Sequence, residues 1–276
     1  MHLKIPLIIA SGTGGMGEYL KLIDPEYIGA YTLKTITFFP KKGNPPPRLF
    51  ATENYLINSI GLENVGLEKF LQQLSSGEFE ELFAKTKVIA SFSGDDVDQM
   101  LQIAKKIKPF EKKFIAIEFN LSCPNVSKGG LGLLSDIHGL DNLLLSIRRE
   151  LNGFLIAKIG IEGIFVEAAA EILKKCGWQG LSLINTIRSL YIIGKKIIKG
   201  GLSGPVLKPV ALRAVYEVKN RVSDLYVIGG GGIMNEEDAD DFIKAGADAV
   251  SIGTAIFKDP KIVSKIAKHI SRRELK

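Results

Sequence analysis

The sequence predicts an α/β fold, a (β/α)8 TIM barrel with long active-site loop insertions, and two observations carry that prediction. Eight short runs rich in apolar and β-branched residues recur along the whole chain, and amphipathic helical patterns fill most of the intervals between them. Near-continuous apolar runs suit strands covered on both faces, as in a parallel sheet, and alternation with helices makes each a βα unit. Eight such units at this length match the closed barrel, while periodicity alone leaves a doubly wound open sheet as the rival. No linker or low-complexity stretch divides the 276 residues, so one domain over 1–276 is expected.

The expected strands are IPLIIAS (5–11), IGAYTLKT (28–35), KVIASFS (87–93), FIAIEFN (114–120), FLIAKIG (154–160), GLSLINT (180–186), LYVIGGG (225–231) and AVSIGT (249–254). Between them, Val97, Met100, Leu101, Ala104 and Ile107 fall on one helical face. Leu143, Leu144, Ile147 and Leu151 do the same. Asn235, followed by three acids, reads as a capped helix start. Two connections are long. Residues 36–61 contain GNPPPR, where prolines fix φ, and 187–205 hold a Gly-Lys-Lys turn between apolar runs, which suits a small hairpin. Both follow expected strands, on the side where barrel loops form active sites.

Composition narrows the class. Apolar residues make up 46% and charged residues 24%, which excludes a disordered chain, a collagen and a disulfide scaffold. The net charge of +6 is scattered, and its densest run, KKIKPFEKK (105–113), reads as solvated helix surface rather than a nucleic-acid patch. Two cysteines, Cys123 and Cys176, fit a reducing cytoplasm. The apolar start is short, and no window approaches 18 apolar residues, so neither a signal peptide nor a membrane span is expected. His2, His138 and His269 are too dispersed for a histidine-centred triad, and no His/Cys cluster has zinc-ligand spacing.

The strand ends carry the candidate chemistry. They supply Ser11, Lys34, Thr35, Asn120, Cys123, Asn125, Lys158, Asn185 and Thr186. Asparagines offer donors and an acceptor, and lysines a charge, so the set suits a planar polar ring bearing a carboxylate. Glycines 229–232 follow the seventh run, and Gly253-Thr254 the eighth, where such barrels bind phosphate through bare backbone N–H groups. Tight turns are the alternative use of those glycines. Lys34 and Lys158 sit in apolar runs, either as rim lysines with buried stems or as cations for a bound cofactor. Cys123 lies in a polar loop beside Pro124, unlike Cys176, whose setting suits a small buried hydrophobe.

With these residues in view, the chain resembles the class 1 dihydroorotate dehydrogenases over nearly its whole length. The resemblance rests on IEFNLSCPNVSKGG (117–130), GGLSGPVLKP (200–209), NSIGLENVG (58–66) and IGGGGI with GADAVSIGTAIF (228–257), together with KT (34–35) and GNPPPR (43–48). It implies a barrel with FMN at its mouth that oxidises dihydroorotate to orotate in pyrimidine biosynthesis. It implies that Cys123 removes the C5 proton while the C6 hydride passes to flavin N5. Lys34, Asn58, Asn120, Asn125, Asn185 and Thr186 would then hold the substrate, with Gly61 and Leu62 contacting it through backbone. Ser11, Lys34, Thr35, Asn120, Lys158 and Ile184 would meet the flavin, and Gly204, Gly231, Gly232, Gly253 and Thr254 its ribityl and phosphate. INT (184–186) and GGLSGP resemble the class 1B catalytic subunit, which implies an iron–sulfur, FAD-carrying electron-transfer partner and a homodimer or heterotetramer. AKIGIEG (157–163) departs from the family in lacking the usual Pro-Asn after the flavin lysine. A dihydropyrimidine dehydrogenase-like barrel acting on uracil or thymine is the alternative enzyme, although such barrels carry His where this chain has Asn125. A flavin-binding module without catalysis and a tRNA dihydrouridine synthase complete the alternatives.

Overall fold

A computed structural model of the chain describes residues 1–121 and 137–273. In chain order its strands are β1 (Leu7–Ile9), β2 (Ala30–Thr32), β3 (Ile36–Thr37), β4 (Leu49–Ala51), β5 (Leu56–Asn58), β6 (Val88–Ser93), β7 (Ala116–Asn120), β8 (Leu155–Lys158), β9 (Gly180–Leu183), β10 (Ile187–Ile193), β11 (Lys196–Ser203), β12 (Tyr226–Gly230) and β13 (Ala249–Ile252). The α-helices are α1 (Leu67–Ser75), α2 (Glu80–Lys85), α3 (Val97–Ile107), α4 (Ile137–Glu150), α5 (Val166–Lys175), α6 (Lys208–Arg221), α7 (Glu236–Lys244), α8 (Ala255–Lys258) and α9 (Ile262–Arg273).

Eight strands run parallel in the order β2-β1-β13-β12-β9-β8-β7-β6, and β6 pairs back onto β2 through Tyr31↔Val88 and Thr32↔Ile89. That last ladder closes the barrel and excludes the open sheet. All eight expected runs supply a barrel strand. Side chains alternate across each strand, so residues two apart share a face. Ile8, Ala30, Ile89, Ala116, Ile156, Ile228 and Ala249 pack together in one apolar cluster. Two positions later the same strands present Ala10, Thr32, Ser91, Glu118, Lys158, Gly230 and Ser251. The barrel interior thus passes within one side-chain layer from an apolar plug to a largely polar layer toward the strands' C-terminal ends.

The helices bury the other strand faces. The α3 face expected from the sequence is the buried one, with Met100, Ala104 and Ile107 joined by Ile103. Leu143, Leu144, Ile147 and Leu151 are likewise buried. Asp96 caps α3 by accepting from Gln99 N at 2.8 Å, and Asn235 caps α7 by accepting from Asp238 N at 2.8 Å. The basic run at 105–113 lies at the surface, where Lys106 pairs with Glu68 and Lys113 with Glu80. No helix among the described residues is long and apolar enough to cross a membrane.

The two long connections meet. Residues 187–203 form the expected hairpin, paired from Ile187↔Leu202 to Ile193↔Lys196. The 36–61 connection, in which the sequence shows no strand, contributes three short ones. β3 extends the barrel along β6, while β4 and β5 add to the hairpin as a four-stranded antiparallel sheet, β10-β11-β5-β4. These strands lack a sequence signal because each is two or three residues long and β5 finds its partner about 140 positions away, at Gly201↔Asn58.

Trp178 tests the packing outside the barrel. It is 1% exposed, its indole N–H donates to the Leu144 carbonyl at 3.0 Å, and its ring meets Phe119 edge-on at 5.8 Å. Trp178→Ala is expected to cost about 3–5 kcal/mol, read by circular dichroism as a lower urea midpoint with an unchanged slope. A midpoint equal to wild type would contradict this packing.

Candidate functional site

A cavity of about 1280 Å³ lies between the C-terminal ends of the barrel strands and the small antiparallel sheet, and residues of both sheets line it. Its barrel side is polar because of the layer described above: Thr32, Glu118, Lys158, Ser182 and Ser251 all reach it. Glu118 is 4% exposed and accepts from the Ser91 hydroxyl at 2.8 Å. The Ser91 hydroxyl meets that of Thr35 at 2.9 Å, and Thr35 meets Ser11 at 3.0 Å. Ser11 donates to the Leu33 carbonyl at 2.8 Å. This chain of hydroxyls ties three strand ends together and satisfies groups that would otherwise be costly to bury.

The amide wall is equally ordered. Asn185 Nδ2 donates to Asn120 Oδ1 at 3.4 Å, and the Thr186 N–H donates to Asn185 Oδ1 at 2.9 Å. Asn58 Nδ2 donates to the Gly201 carbonyl at 3.3 Å, which links β5 to the hairpin. Gly201 is required there, since a Cβ would stand 2.1 Å from the Thr186 hydroxyl. Lys34 and Lys158 both line the cavity and carry no ion pair among the described residues. Burial holds the Lys34 ammonium below the ordinary lysine value, with Glu63 opposing the shift and Arg48 adding to it.

The four glycines after the seventh run divide by physical role. A Cβ at Gly229 would stand 2.7 Å from the Phe242 ring, and one at Gly230 would stand 2.7 Å from the Ser251 carbonyl oxygen. Those two are glycine for packing. Gly231 and Gly232 have φ of 115° and 92°, a backbone that other residues adopt only under strain. Gly253 differs: a methyl there would meet Thr13 and Ala10 at ordinary contact distances of 3.5 and 3.6 Å. Nothing among the described residues demands a glycine at 253, yet the residue lines the cavity, so its bare backbone leaves room for something else. Beside it Thr254 donates to the Ser203 hydroxyl at 2.9 Å, joining the last barrel strand to the hairpin.

Of the candidate residues read from the sequence, Ser11, Lys34, Thr35, Asn58, Gly61, Leu62, Asn120 and Lys158 line this one cavity. Ile184, Asn185, Thr186, Gly204, Gly231, Gly232, Gly253 and Thr254 line it as well. Cys123 and Asn125 lie outside the described residues. Cys176 is buried away from the cavity, its thiol 3.8 Å from the Asp141 carbonyl and pushed up in pKa by burial. The sequence reading missed Glu118, Arg48, Arg188 and Lys199, all of which line the cavity. Glu118 had a signal, a carboxylate in an apolar run two residues before Asn120. The other three gain their place only when the small sheet assembles. Arg48 pairs with Glu63 at 2.8 Å and Arg188 with Glu162 at 3.0 Å, the latter inside the segment that departs from the family pattern.

Comparisons with known proteins agree with this geometry. The family model described as dihydroorotate dehydrogenase matches residues 1–273. The dihydroorotate dehydrogenase B (NAD(+)) catalytic subunits of Thermotoga petrophila and Thermotoga maritima are each 48% identical over 271 residues, covering 98% of both chains. The subunit of the same name from Malacoplasma penetrans is 37% identical over 280 residues, covering 99% of this chain and 90% of its own. In three dimensions the chain is similar to DHODH of Eimeria tenella solved with ferulenol, at a TM-score of 0.80 and 22% identity, covering 97% of this chain and 81% of that one, a likeness of fold. A closed eight-stranded barrel and a full-length family match together place the chain in the dihydroorotate dehydrogenase family.

Proposed function

We propose that the chain catalyses the FMN-dependent oxidation of dihydroorotate to orotate in pyrimidine biosynthesis. The observation that carries this reading is convergence. Every described residue that the resemblance assigns to substrate or flavin lines a single cavity, although the residues come from positions as far apart as 11 and 254. The donor set also fits the flavin. The open backbone at Gly253, with Gly231 and Gly232, suits phosphate oxygens, and the hydroxyl and amide walls suit a flat heteroaromatic ring. When bound, the flavin supplies the acceptor for the hydride that leaves C6 of dihydroorotate.

The chain's own residues do the rest. Lys34 supplies a cation for the substrate carboxylate, and the Asn120–Asn185–Thr186 wall holds the ring's amide edges. Lys158, at the end of β8, sets a second cation beside the ring system, where negative charge develops. Cys123 takes the C5 proton at sulfur, a role assigned through the NLSCPN motif alone. The relatives named catalytic subunit support the further reading that an iron–sulfur, FAD-carrying subunit passes the electrons to NAD. The isolated chain is then expected to give no NADH from dihydroorotate and NAD, and to do so once that subunit is added.

The decisive test is an anaerobic titration of the FMN-loaded protein. Dihydroorotate is expected to bleach the flavin absorbance and dihydrouracil to leave it unchanged; the opposite preference would sink the substrate assignment. Cys123→Ser is expected to slow that bleaching at least 100-fold, in keeping with the loss of a general base. Lys34 adds a pH signature. Because its pKa is lowered, it loses its charge below the ordinary lysine range near ~10.4. The KM for dihydroorotate should therefore begin to rise before that range, and Lys34→Ala should raise the neutral-pH KM roughly tenfold or more while abolishing the alkaline rise. Two glycine substitutions separate fold from cofactor. Gly253→Ala is expected to keep the apoprotein's melting temperature but weaken FMN binding, whereas Gly230→Ala is expected to lower the melting temperature itself. An FMN affinity unchanged by Gly253→Ala would count against a phosphate at that loop.

A further inference from the structure

Lys208 opens α6 just behind the loops that wall one end of the cavity. Its ammonium reaches Asp238 Oδ1 at 2.5 Å and Asp241 Oδ2 at 2.8 Å, both on α7. Asp238 is only 8% exposed, and its second oxygen accepts the Met234 N–H at 2.8 Å. A methyl at Gly232 would stand 2.7 Å from the Lys208 backbone nitrogen. Gly204, Leu207, Gly232 and Met234 all line the cavity. The Lys208–Asp238 pair therefore joins the turn before α6 to the glycine loop before α7, one hydrogen bond behind the cavity wall.

The charges matter as much as the tether. A carboxylate this close to the glycine loop repels an anion bound on its far side, and low exposure weakens the screening by water. Asp241 has a second cation, Lys244, at 3.5 Å, but Asp238 has only Lys208 among the described residues. An apolar clamp would hold the two loops equally well and leave the acid uncompensated. We propose that Lys208 is a positioning residue for the cofactor's phosphate, clamping the two glycine loops and cancelling the Asp238 charge behind them. This inference rests on the reading of an FMN phosphate at those loops.

The test is FMN affinity of the apoprotein, followed by quenching of flavin fluorescence at low and high salt, with apoprotein melting temperatures measured alongside. Lys208→Met is expected to raise the FMN Kd at least tenfold at low salt, and added salt should narrow the gap. Asp238→Asn removes the charge but keeps an acceptor for Met234 N, and is expected to change Kd less than threefold. Lys208→Gln combined with Asp238→Asn keeps a hydrogen-bonding pair and removes both charges, and is expected to recover most of the affinity lost in Lys208→Gln. Lys208→Gln keeps a donor for Asp238 and loses only the charge, so it should weaken binding with little change in melting temperature; it carries the test if Lys208→Met fails to fold. A Lys208→Gln, Asp238→Asn double variant as weak as Lys208→Gln, or a Lys208→Gln protein binding FMN like wild type, would overturn the proposal. A wild-type protein that binds no FMN would instead overturn the underlying reading of the cofactor.

Discussion

The closure of β6 onto β2 sets the terms for everything else in this molecule. Once eight parallel strands form a ring, each strand must place alternate residues inside it, and a register slip of one residue would exchange core and helix-facing sets. The interior resolves that constraint by layers. Ile8, Ile89, Ile156 and Ile228 plug one level, while Ser91, Glu118, Lys158 and Ser251 occupy the next. The cavity is therefore a continuation of the core pattern, and its polar groups are fixed by the same ladders that hold the apolar plug.

The glycines show how one sequence feature serves separate physical demands. Gly229 and Gly230 let β12 lie against Phe242 and the β13 backbone. Gly231 and Gly232 turn the chain through positive φ. Of these glycines, Gly253 alone has no packing reason among the described residues, and it lines the cavity. Counting glycines in the sequence merges these uses, whereas asking what a methyl would strike separates packing from ligand space.

The small sheet turns a barrel mouth into a walled site. Its β4 and β5 are three residues each, and only the longer β10–β11 hairpin has a local turn signal. β5 acquires strand geometry by pairing with β11 of that hairpin and β4 by pairing with β5, and this brings Asn58 beside Gly201 and Arg48 to the cavity. Ion pairs such as Arg188–Glu162 span from this sheet to the loop after β8. Exposed pairs of this kind contribute little to stability singly, so the sheet's place depends chiefly on its ladders and on the barrel loops beneath it.

By itself the sequence determined the barrel strands, the helix faces, the cap at Asn235, and the strand ends that carry the polar residues. Those features are local, since periodicity and capping act over a few residues. The family motifs added the identity of the site residues, including Cys123 and Asn125, which lie outside the described structure. Only the tertiary structure decided that the sheet closes, that β4 and β5 exist, and that Glu118 stands beneath a chain of hydroxyls. It also decided which glycines serve packing and which leave room for a ligand. Each of these depends on atoms brought together from distant parts of the chain, and a one-dimensional pattern carries no distance between them.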